Sequence, residues 1–323
     1  CCSPVWQAPS PKRSLGAMAA DETGESPTGL QQLMLFRHWS LFLPRLTSEP
    51  AKLNGAYTLM RQQRNPAFFD QLREKLHQIL QDCDMLHVSG QACSVEGGLE
   101  KVLSVVLQSL VFAMGFLQNR QFHKAFVLGE LCVQVSDQLA DAESTVDLTF
   151  WRLLCRVYLG GAYLQLRRTS DARRVLEEAQ ELGAAVEETR QSLQSILGAC
   201  SYALAQADLD ESFTEKALDH VDAAIKQMEG NIWEVSQNLE DKEVISNVLA
   251  TLYHFRGHCD FFCDRFDVAL SWYESALTVL GEHRDLGTDT DAMVAYVKHD
   301  IQRAICLRPK AETVVESAPE PVG

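Results

Sequence analysis

Long apolar runs are missing from this 323-residue chain: the longest, Leu103 to Leu117, covers 15 residues and is broken by Ser104, Gln108 and Ser109. A membrane-spanning helix needs about 20 apolar residues in succession. The stretch is therefore expected to be a buried core helix, and no membrane insertion is expected. Cys-x-x-Cys pairs are absent too. The ten cysteines are scattered without a paired framework, which reads as reduced thiols in the cytoplasm, with the nucleus or an organelle matrix as alternatives. Cys132, Cys155, Cys200 and Cys306 sit among apolar residues and are expected to pack as small hydrophobes.

Signatures of catalysis are lacking as well. The chain has no Walker phosphate loop, no Gly-x-Ser-x-Gly elbow, no Gly-x-Gly-x-x-Gly and no His-Glu-x-x-His. Gly97-Gly98 and Gly160-Gly161 are too short to cradle a phosphate, and helix packing accounts for the second pair. No catalytic residue and no cofactor are implied, so the chain is read as a non-enzyme. Positive charge is also scarce. Lys and Arg number 29 against 44 Asp and Glu, a net charge of −15, and the imbalance begins after residue 90. Residues 1–90 carry 9 basic and 8 acidic side chains, leaving 20 against 36 for the rest. An acidic body repels phosphate backbones and anionic head groups, which argues against nucleic-acid and membrane partners and fits a basic protein partner or a solvated surface.

What the sequence does have is helical periodicity and punctuation, with no convincing strand. Residues 1–29, rich in Pro, Ser, Gly and Ala, are expected to be disordered. Either Met18 marks a start or residues 1–17 are the remnant of a transit peptide. Residues 30–87 form an N-terminal helical block, in which Asn65-Pro66 signals a helix start followed by Phe68, Leu72, Leu76, Ile79 and Leu80 on one face. A Gly- and Ser-bearing loop from Val88 to Gly98 ends it. Helix starts are predicted at Ser144 and Asn231, each with an acid three residues on, and at Thr169 or Ser170. A last helix over about 290–307 places Met293, Val297, Ile301 and Ala304 inside, with Lys298, Asp300 and Arg303 on its other face. Residues 308–323 read as an unstructured tail.

Between these marks the chain is self-similar. Four segments place small residues at fixed offsets, a second twelve residues after the first and a third seven further on. They are Ala113, Ala125 and Cys132, then Gly160, Ala172 and Ala179, and last Gly257, Ala269 and Ala276. A further segment has Ala199, Ala217 and Ala224, and needs about six extra residues near Ala207 to Ser212. Phe116, Tyr163 and Tyr202 stand three residues after the first small position, where the last copy has Asp260. Small side chains at such points let two helices cross closely.

This pattern resembles the tetratricopeptide repeat family, over about 103–282. The steps between the alanines are 47, 45 and 52 residues, against about 34 in the usual repeat. The resemblance implies an all-α, TPR-like helical-repeat solenoid of antiparallel helix pairs over 95–307, capped by the last helix. It also implies a concave groove lined by the first helix of each pair, here Leu107, Leu110, Met114, Leu117 and Gln118, then Leu154, Val157, Gly161, Leu164 and Gln165. These lack the Lys, Asn and Arg clamp of some co-chaperones. An apolar groove suits a peptide or an amphipathic helix of a protein partner, so the implied role is adaptor or assembly factor, or else a permanent subunit of a multiprotein complex.

One stretch could carry chemistry: His254 and His258 lie one turn apart, and Cys259 and Cys263 form a second such pair rotated about 100° from the nearer His. One helix face supplies two metal ligands but not four. No metal site is therefore expected, and His254, His258, Phe261 and Phe262 are assigned to the groove, with Cys259 and Cys263 packed behind.

Overall fold

The computed structural model describes residues 67–89, 98–118, 121–142, 148–186, 191–235, 239–281 and 288–308. The expectations for 1–66, for Ser144 and for the tail beyond Arg308 lie outside them. Among the described residues there are ten α-helices and no strand: α1 Ala67–Ser89, α2 Gly98–Gln118, α3 Phe122–Ala142, α4 Thr149–Gln165, α5 Thr169–Ala184, α6 Gln191–Asp210, α7 Thr214–Val235, α8 Leu239–Phe262, α9 Phe266–Gly281 and α10 Thr288–Leu307. None of them is long and apolar enough to cross a membrane. From α2 onward each helix packs against the next in the chain, and α2 against α4, α4 against α6, and α8 more lightly against α10. The first helix, α1, packs on α3 and less extensively on α2, with Phe68 4.4 Å from Phe112 and Phe69 edge-on to Phe116.

Helix α5 illustrates the sequence logic. Ala172, Val175, Leu176, Ala179 and Gly183 recur at spacings of three and four and are buried, while Arg174, Glu177 and Glu181 face water. In α10, Met293, Val297 and Ala304 are buried as expected, but so is Asp300, which belongs inside rather than on the polar face.

Four helix pairs share one turn. The backbone N–H groups of Gln121, Arg168, Phe213 and Arg265 donate to the carbonyls five residues back, on Phe116, Tyr163, Asp208 and Asp260. Each of those four turn residues then accepts from the N–H of an alanine four residues on, Ala125, Ala172, Ala217 or Ala269. Preceding the last three turn residues, Arg167, Ser212 and Asp264 adopt φ of 57°, 66° and 59°, the left-handed closure that frees a helix C-terminus to reverse. All four alanines are fully buried.

Counted from these turns, the small residues eight positions earlier are Ala113, Gly160, Ala205 and Gly257, and those eleven later are Cys132, Ala179, Ala224 and Ala276. The third pair therefore needs no six-residue insertion: α6 runs unbroken to Asp210, and Ala205 with Asp208 takes the places assigned to Ala199 and Tyr202. A methyl at Gly160 would sit 2.7 Å from Leu176, and one at Gly257 would sit 2.5 Å from Tyr273. Both facing residues lie eight past the turn, where the Ala-bearing pairs carry the smaller Gly129 and Val221. Glycine stands where the facing side chain is large.

Three boundaries differ from the sequence reading. Val88 and Ser89 belong to α1. Asn231 and Glu234 fall inside α7 rather than starting a helix, because the helix continues to Val235. The residue capping α5 is Arg168, with no side-chain cap bond, since the turn bonds around it already fix the start. Cys132, Cys155, Cys200 and Cys259 are buried free thiols, whereas Cys306, near the end of α10, is exposed. Burial raises the Cys155 thiol to about 12, which keeps it inert.

Candidate functional site

The groove residues go inside. Leu107, Leu110, Leu154, Val157 and Leu164 are all buried. Met114 and Leu117 share α2 with the first two, but their side chains lie outside the described set. Phe261 is buried as well, edge-on to Phe262 and Phe266, with the Arg303 guanidinium 5.0 Å from its ring centre. Phe262 is half-buried beside His258, and Cys263 is half-buried rather than packed away.

Polar chemistry concentrates where α8 meets α10. His254 and His258, one helical turn apart, point the same way. Their Nε2 atoms each lie 2.8 Å from the same carboxylate oxygen, Asp300 Oδ2. The imidazole rings are edge-on with centroids 4.6 Å apart, flanked by Tyr273 and Tyr296. All three ligand-type residues are buried. Burial lowers His254 to about 4 against the pull of its Asp300 bond, so its ring is neutral near pH 7. Burial pushes the Asp300 carboxyl up, but the bonds from the two imidazoles outweigh that and hold it well below the usual carboxylate range. The Tyr296 hydroxyl oxygen is buried with no hydrogen-bond partner among the described residues. Burial and the Asp300 charge both raise its phenol.

Sequence reasoning found the two histidines and missed Asp300, which stands 42 residues from His258 and next to the exposed His299 and Lys298. The available signal was its spacing, seven residues after Met293 and three after Val297, on the inward stripe of α10.

Two other buried carboxylates have structural partners. Asp208 receives Arg173 of α5 and the His220 Nδ1 of α7 at 2.6 Å, joining three helices. Asp260 pairs with Arg256 and, at 2.8 Å, with Arg265. Both acids occupy the turn-referenced place that Phe116 and Tyr163 hold in the earlier pairs, where Lys124 and Arg168 lie over the rings. A cation is therefore kept beside this position whether it holds a π face or a carboxylate. No protein-family model and no curated protein matches the chain.

Proposed function

We propose that this chain is a non-catalytic protein-interaction module, a TPR-like stack of helix pairs that holds a peptide or amphipathic helix of a partner within a multiprotein complex in the cytoplasm. The observation that supports it is the fourfold recurrence of one turn with the same small residues around it. Helix pairs repeated in this way stack into long surfaces that present their first helices to a ligand. The buried Leu107, Leu110 and Leu164 then shape the floor of that face, and neighbouring side chains of α2, α4, α6 and α8 touch the partner. The acidic body favours a partner segment with basic flanks over nucleic acid.

A second reading, a permanent subunit, draws on exposed apolar side chains. Val268, Ile305 and Leu307 are exposed on α9 and α10, near where Arg308 bonds Asp267 at 2.8 Å. A constant neighbour would cover such side chains. Gentle size-exclusion of lysate separates the two: an adaptor leaves a free pool beside its complex, whereas a subunit migrates wholly with the complex. Migration solely at the mass of the lone chain would rule out both. Crosslinking mass spectrometry of the purified complex tests the face itself. Partner crosslinks confined to the second helices α3, α5, α7 and α9 would sink the groove.

A further inference from the structure

We propose that His254, His258 and Asp300 bind a divalent transition-metal ion of the zinc class, which ties α10 to α8. Both imidazoles aim at one carboxylate oxygen instead of sharing two, and the three donor atoms lie within 4.8 Å of one another. It is the one such group among the described residues. A tetrahedral zinc site has Zn–N and Zn–O distances of about 2.0–2.2 Å, which puts neighbouring ligand atoms about 3.3–3.5 Å apart. The present 2.8 Å contacts need to open by roughly half an ångström to admit the ion. Two imidazoles at helical spacing and a carboxylate from another helix form a donor set of borderline softness, suited to Zn²⁺ and its first-row neighbours rather than to Ca²⁺ or Mg²⁺.

Tyr296 is a separate observation pointing the same way. Its oxygen is buried and has no hydrogen-bond partner among the described residues, its ring is 5.3 Å from His254, and it stands one turn before Asp300 on the same face of α10. Buried polar atoms rarely go unsatisfied. A fourth ligand on the ion, a water molecule or the phenol itself, gives this oxygen a partner. The placement also has a structural use. Helix α10 rests mainly on α9 and lightly on α8, and all three ligands are buried away from any substrate. The ion is therefore a staple and not a reaction centre. The inference does not depend on the interaction role proposed above.

The test uses the full chain, stripped with a chelator and then given Zn²⁺ or Co²⁺, with Mg²⁺ as control. The expectation is about one zinc per chain retained through gel filtration, a raised melting temperature with Zn²⁺ but not Mg²⁺, and the intense visible spectrum of tetrahedral Co²⁺. His258→Gln and Asp300→Asn should each lower retained zinc at least about tenfold, while His220→Gln and the exposed His77→Gln on α1 leave it unchanged. No retention by the native chain overturns the proposal and leaves a hydrogen-bonded triad. So does equal retention by His258→Gln and Asp300→Asn, which means adventitious surface binding. Should these variants fail to fold, X-ray absorption of the zinc-loaded native chain decides. A shell of two imidazoles plus oxygen supports the site, and any shell with sulfur or a single imidazole overturns it.

Discussion

At Gly257 a methyl group has no room: it would lie 2.5 Å from Cε1 and 2.7 Å from Cδ1 of Tyr273, and 3.1 Å from the Ala269 carbonyl. The Tyr273 ring is itself buried and cannot swing aside. Gly257→Ala gains ~1 kcal/mol of helix propensity, yet overpacking costs about 1–3 kcal/mol. Net destabilisation is the expected outcome, read as a lower urea midpoint. Gly281→Ala, with nothing within 4 Å of the new methyl, should stabilise or leave the midpoint unchanged. His254 allows a pH prediction for the metal-free chain. Its native value is about 4 and its ordinary value 6.5, so below 6.5 the unfolded chain takes up a proton that the native chain refuses. Stability is complete above pH 6.5 and falls as pH drops toward 4, by up to about 3 kcal/mol. Asp300, depressed below its ordinary 3.8, adds its own loss only at lower pH. His258, Asp300, Tyr273 and Tyr296 face the ring, and Arg303 lies near both tyrosines. Denaturant melts at several pH values check the slope, and His254→Gln should flatten it between pH 6.5 and 4.

The turn is the element that repeats, and it also explains what the sequence made legible. Alanines at 125, 172, 217 and 269 could be read directly, because close helix crossing restricts the position to a small side chain. The first helix of the third pair was misregistered because Ala199 and Tyr202 imitate the small-then-aromatic pattern of the second pair. Asp208 at the aromatic place looks like a solvated acid until Arg173 and His220 are seen around it. Partners on other helices decide the burial of a charge, and local sequence does not show them. Breaking this three-helix link by Asp208→Ala should cost roughly 2–4 kcal/mol, since it leaves Arg173 partly buried with Glu211 and the Phe213 ring but without its buried carboxylate. The left-handed turn residues offer the opposite experiment. Ser212 is exposed at φ 66°, a conformation that costs a side-chain-bearing residue about 1 kcal/mol over glycine. Ser212→Gly is expected to raise the thermal midpoint and Ser212→Ala is not.

Among the described helices, the substantial contacts reach no further than the second neighbour along the chain. The helical class and the inward stripe Met293, Val297 and Ala304 could be read from periodicity alone. The site was half legible, because two ligands share one helix while the third lies on another. Neighbour-only packing predicts that damage stays local. Removing residues 288–323 strips α10 from α9, uncovers the Tyr273 region, and leaves His254 and His258 without the carboxylate that receives them. Lost burial of Met293, Val297 and Ala304 and the lost bonds of two imidazoles to Asp300 together cost several kcal/mol. In hydrogen-exchange mass spectrometry, amides of α8 and α9 should then exchange much faster, while those of α4 and α5 keep their protection. The single substitution Val297→Asp should reproduce the pattern in weaker form, because it places a charge at a fully buried position of the same contact. Equal loss of protection from α2 to α9 would instead mean that the helix pairs fold as one cooperative unit, and that no part of the stack, the last helix included, can open alone.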